Sequence, residues 1–79
     1  MDISLREIDD IRNVLFKILE RDKEINTRGF YEYSVFPELE YHWNKYLLAG
    51  ICRTYFSEQI LLINTENMYN ITDFIIRKA

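Results

Sequence analysis

The chain has 79 residues and is poor in the residues that build stapled or metal-held domains: one cysteine, one histidine, one proline and two glycines. A single cysteine excludes an internal disulfide framework and a thiolate cluster. A single histidine excludes a histidine-rich zinc or iron site. The longest uninterrupted aliphatic run is Ile60 to Ile63, far below the roughly 20 apolar residues of a membrane-spanning helix. The first ten residues, MDISLREIDD, are charged and helical in pattern, unlike a secretory signal. A cytoplasmic location, with no membrane partner and no small-molecule cofactor, is therefore expected. So few glycines and prolines also argue against a disordered chain.

Apolar material is abundant. Hydrophobic residues make up 48% of the chain, and the five Phe, six Tyr and single Trp add up to twelve aromatics. A domain this small buries only about 60% of the surface its unfolded chain exposes, so a dense core is needed. We expect a single small domain over residues 1–79, which could equally be the N-terminal piece of a longer protein. Net charge is -3, unevenly spread. Residues 1–40 carry ten acids and six bases; residues 41–79 carry three acids and four bases. Between Tyr41 and Ser57 stand Lys45 and Arg53 and no acid. That stretch reads either as a core helix, which carries few charges of any sign, or as a weakly basic recognition face.

The first helix is marked at its start. Ser4 and Glu7 have capping-box spacing, with Ile3 ahead of them as a staple residue. Ile8, Ile11, Leu15 and Ile18 follow at intervals of three and four, widened by Leu5, Val14 and Leu19. The rhythm predicts a helix over 5–22. Ile25 then stands alone, suited to a short strand or a buried plug. Behind Thr27, Phe30 and Tyr33, then Tyr31, Val35 and Phe36, supply apolar surface at helical spacings, which predicts a second helix near 28–35, stopped by Pro37. Pro37-Glu38-Leu39-Glu40 resembles a helix opening, with proline and acids suited to a first turn, so a third helix is expected from about 38 or 40 to 55. Two strands, near 59–63 and 71–77, flank the turn chemistry of Asn64-Thr65-Glu66-Asn67. Against the second strand stands a short helix capped by Thr72.

Three helices, a short strand at Ile25 and a C-terminal hairpin give an α+β, winged helix-turn-helix-like order. The rival architectures are a helical bundle with a fourth C-terminal helix and a generic α+β domain. On the winged reading, the third helix enters the DNA major groove. Asn44 then suits an adenine edge, and Lys45 and Arg53 suit phosphates or guanine. Arg77 and Lys78 add backbone contacts beside the hairpin. The function this order implies is a non-catalytic module contacting double-stranded DNA. Its rival is a protein-interaction or structural module without nucleic-acid binding. Tyr31, Tyr41, Tyr46 and Tyr55 are the interface candidates, in a homodimer or with another protein. Cys52 and His42 are too far apart along one helix to act as a nucleophile pair, and the acids form neither a paired catalytic site nor a metal site. No enzyme activity and no metal are expected.

Overall fold

The computed structural model describes residues 2–79 and builds them as two helices against a three-stranded antiparallel sheet. Helix α1 spans Leu5–Asp22. Its capping box is complete: the Ser4 hydroxyl accepts from the Glu7 amide, and the Glu7 carboxylate accepts from the Ser4 amide. The helix buries Ile8, Ile11, Leu15, Ile18 and Leu19 on one face. Burying each such side chain contributes roughly 1.5–3 kcal/mol. The stripe is not covered throughout: Leu5, at its start, is 82% exposed. Lys23 ends the helix in a left-handed conformation, φ 71°, with its amide bonded to the Leu19 carbonyl. This reversal throws the chain directly into strand β1, Glu24–Asn26.

The expected second helix does not form. Residues 28–35 hold only a three-residue 3-10 turn, Tyr33–Val35, so there are two helices and no helix-turn-helix. The winged helix-turn-helix assignment is thereby overturned, and with it the DNA-reading function drawn from it. The spacing of Phe30, Tyr33 and Phe36 serves a different purpose. Phe30 meets Tyr33 edge-on at 4.9 Å between centroids, and Phe36 stacks on Trp43 at 4.7 Å. Only a few residues separate Gly29 from Pro37, and a helix that short has little intrinsic stability. Aromatic packing in an irregular segment prevails.

The next helix also starts later than the proline suggests. Helix α2 runs Lys45–Tyr55, and residues 37–44 form a loop over the core. Two bonds account for the shift. The Trp43 indole donates to the Pro37 carbonyl at 2.8 Å, which folds the segment back on itself. The Asn44 side-chain oxygen accepts from the Tyr46 and Leu47 amides, both at 2.9 Å, a stronger N-terminal cap than anything at Pro37.

The C-terminal hairpin does form, from β2, Ile60–Glu66, and β3, Thr72–Lys78. Its turn is organised by Asn67, whose side chain accepts from the Tyr69 and Ile71 amides, and by Asn70 at φ 59°. β3 lies in the middle, paired with β1 on one side and β2 on the other. Ile25, Ile60, Phe74 and Ile76 point into the core between sheet and helices, together with Leu48, Ile51, Cys52 and Phe56.

Candidate interaction surface

Two observations fix which backbone groups of β2 are free. The Ala79 amide donates to the Gln59 carbonyl, and the Asn67 amide to the Ile71 carbonyl, at the two ends of a register that pairs Ile60 with Lys78 and Glu66 with Thr72. In an antiparallel ladder, bonded and non-bonded pairs alternate. Leu61, Ile63 and Thr65 therefore direct their amides and carbonyls toward β3, and Ile60, Leu62, Asn64 and Glu66 direct theirs to the outside. The Ile60 amide is taken by the Phe56 carbonyl at 3.0 Å. The amides of Leu62, Asn64 and Glu66 have no partner among the described residues, so β2 is an open edge over most of its length.

The edge is bordered by apolar surface on both sides. On the sheet face away from the helices lie Leu61, 50% exposed, and the half-buried Ile63 and Ile75, which are directly paired. On the helix side, a groove of about 430 Å³ runs between the end of α2 and β2, lined by Cys52, Arg53, Ser57, Ile60, Leu62 and Asn64 and touched by Leu61 at the edge. Within the hairpin turn, Met68 and Tyr69 are 84% and 75% exposed. The opposite edge of the sheet is different: β1 is three residues long and carries Glu24, which pairs with Arg77 across the ladder.

The residues expected to meet nucleic acid occupy structural posts. Asn44 is committed to capping α2. The Lys45 ammonium lies 3.4 Å from the buried Asp73 carboxylate. Arg77 is paired with Glu24 and Lys78 with Glu20. Arg53, exposed in the last turn of α2, has no hydrogen bond or ion pair among the described residues. These side chains do not converge on one face.

The four tyrosines are dispersed as well. Tyr31 is 85% exposed in the loop after β1, and Tyr41 lines a small recess with Ile3, Glu7 and Leu39. Tyr46 meets Phe74 edge-on at 6.1 Å, and Tyr55 packs partly against the core at the other end of α2. Nine residues apart on one helix, Tyr46 and Tyr55 lie about half a turn apart around its axis. No sequence signal pointed to the β2 edge itself, although the near-continuous apolar run of that strand was visible.

Reactive groups are quiet. Cys52 is fully buried, and that burial pushes its thiol up to about 12, so it is neither a nucleophile nor a ligand near neutral pH. His42 lies in the loop ahead of α2, exposed, and Cys52 lies inside the helix. Among the described residues no group of three His, Cys, Asp or Glu side chains is placed to hold a metal, and no helix is long and apolar enough to cross a membrane. One buried polar cluster exists: Asp73 accepts from the Thr27 hydroxyl at 2.9 Å, which in turn accepts from the Phe74 amide at 2.9 Å. Tyr33 stands near enough for the Asp73 charge to add to the effect of burial in raising its phenol pKa. The cluster ties the end of β1 to β3 and the start of α2 and is satisfied from within. Compared with family models, curated proteins and solved structures, the chain gives no match.

Proposed function

We propose that this chain is a non-catalytic protein-interaction module, and that the open edge of β2 is where a partner adds an extended strand. The observation that carries the reading is the strand's lack of protection. Exposed edges are ordinarily kept short, broken by proline or bulges, or guarded by charge. Ile60–Glu66 is seven residues long, has no proline, and carries no charge before Glu66. Strand addition uses main-chain bonds for affinity and side-chain pockets for specificity. The outward amides of Leu62, Asn64 and Glu66 offer the first, and the groove beside α2 offers the second. The pairing of Lys45, Arg77 and Lys78 with acids within the fold supports a protein partner over a polyanion.

Random peptides displayed on phage and selected against the folded chain test this. Selected binders are expected to be extended and rich in β-branched residues, and to slow hydrogen exchange at the amides of Leu62, Asn64 and Glu66. Asn64→Pro removes one outward amide without touching the bonds to β3, and should abolish their binding. Binders that leave those three amides unchanged and tolerate Asn64→Pro would overturn the reading.

A further inference from the structure

Taking the open β2 edge as the docking element, we infer that its partner is a second copy of this chain, joined by antiparallel pairing of β2 with β2 about a two-fold axis at Ile63. The inference rests on the interaction reading above and adds the occupant and the register. Charge carries it. Arg53 and Glu66 are two charged groups bordering the edge, and neither has a partner among the described residues. Arg53, in the last turn of α2, lines the groove with Ile60, Leu62 and Asn64, and Glu66, the last residue of β2, is not among the lining residues. Within one chain the two form no ion pair among the described residues. In an antiparallel pair that overlaps the strand over its whole length, Ile60 faces Glu66 of the second copy. That places each Glu66 carboxylate at the mouth of the other copy's groove, beside Arg53. The two-fold axis makes this contact twice.

Two neighbouring registers are poorer. Moving the axis to Asn64 replaces the contact of Ile63 with its own copy by Ile63 against Thr65, and moving it to Glu66 sets the two carboxylates against each other, which is destabilising. The Ile63 axis also suits the backbone. Leu62 and Asn64 each have an outward amide and carbonyl and would exchange both bonds with Asn64 and Leu62 of the second copy. The Glu66 amide would reach the Ile60 carbonyl, whose own amide is already spent on Phe56. The total is about six main-chain bonds. Ile63 would face its own copy in a non-bonded pair, where side chains approach most closely. The apolar strip of Ile75 and Ile63 would then continue across the junction into its counterpart, and Leu61 would lie against Thr65. The two three-stranded sheets would become one of six strands, and the self-complementary patch is what a two-fold assembly requires.

Sedimentation equilibrium of the full chain from micromolar to millimolar concentration, at low salt, tests the proposal. The chain is expected to dimerise. Arg53→Glu and Glu66→Arg should each weaken the dimer about ten-fold, and the double exchange should restore it to within about three-fold of the parent. Both positions are exposed, so the variants should fold, which circular dichroism checks. Hydrogen exchange should show the Leu62, Asn64 and Glu66 amides protected in proportion to the dimer fraction. A chain monomeric at every concentration overturns the inference, and so does a dimer that neither charge reversal weakens. If such a monomer still takes up selected peptides in an Asn64→Pro-sensitive manner, the open-edge reading stands and only the second copy is excluded. If it does not, both fail.

Discussion

Thr27→Val is the sharpest test of how the sheet is held to the rest of the molecule. The exchange keeps volume and β-branching and removes only a hydroxyl. That hydroxyl is buried, with Thr27 at 7% exposure, and is used twice: it donates to Asp73 and accepts from the Phe74 amide, both at 2.9 Å. Without it, the Phe74 amide is left unsatisfied in a buried position, which costs about 1–3 kcal/mol. The Asp73 carboxylate, a charged acceptor, also loses the bond donated by that hydroxyl, of order 1.5–3 kcal/mol, and keeps only the longer contact to Lys45. The two losses share one atom and do not simply add, so we expect a total of about 2–4 kcal/mol. A domain of this length has ~4–12 kcal/mol of stability in all. The midpoint of thermal unfolding should fall by about 10–25 °C. Thr65→Val is the control: Thr65 is half-buried on the same sheet and makes no side-chain bond among the described residues, so its loss should stay within about 0.5 kcal/mol. Urea unfolding of the two variants side by side decides the matter. A Thr27→Val protein as stable as the Thr65→Val one would refute the role given to the hydroxyl.

Two further outcomes follow from the core. Leu15→Ala, at a fully buried position of α1, should lower the urea-derived stability by about 2–5 kcal/mol through lost burial and a cavity, and an unchanged midpoint would contradict the packing described. The Cys52 thiol, held at about 12 against an ordinary value of 9.0, should resist alkylation at pH 8 until the chain is unfolded. Its contribution to stability is complete below pH 9 and is lost as pH rises toward 12, because the unfolded chain ionises first. Tyr33, raised by burial and by Asp73, acts in the same direction above pH 10. The urea midpoint should therefore drop across that alkaline range, and Cys52→Ala should flatten the slope.

What was legible in the sequence was local. Helix α1 announces itself because Ser4, Glu7 and the Ile8–Leu19 rhythm agree with one another, and the structure uses all of them. The hairpin was legible from its β-branched strands and turn residues, and Ile25 from its isolation. The second helix was misread because an interval of three residues between Phe30, Tyr33 and Phe36 carries no information about whether the rings line a helix or meet as a cluster. The start of α2 was misread because Pro37 satisfies a first-turn preference that Asn44 satisfies better, and the deciding bond, from Trp43 to the Pro37 carbonyl, depends on the loop's final shape. The ion pairs were not legible for a related reason. The acids that pair with Lys45, Arg77 and Lys78 stand 28, 53 and 58 residues away along the chain.

The open edge was hidden for a topological reason. Whether β2 is central or at the margin depends on whether the three residues Glu24–Asn26 pair with β3 or with the outer side of β2, and nothing in β2 records that choice. Once the order is known, the composition of β2 becomes informative. Ile60 and Leu62 are explained within one chain, because they close the core over α1 and α2. Leu61 and Ile63 are not. They face away from the helices, and Thr, Lys or Glu there would satisfy the same ladder with less exposed apolar surface. Folding of the single chain therefore requires one face of this strand to be apolar, and the strand is apolar on both. The surplus lies beside three unbonded amides and near Arg53 and Glu66, charges of opposite sign with no partner among the described residues. On the proposed pairing, a second copy's strand would answer all three features at once: it would lie beside Leu61 and Ile63, bond the amides and bring an acid to Arg53.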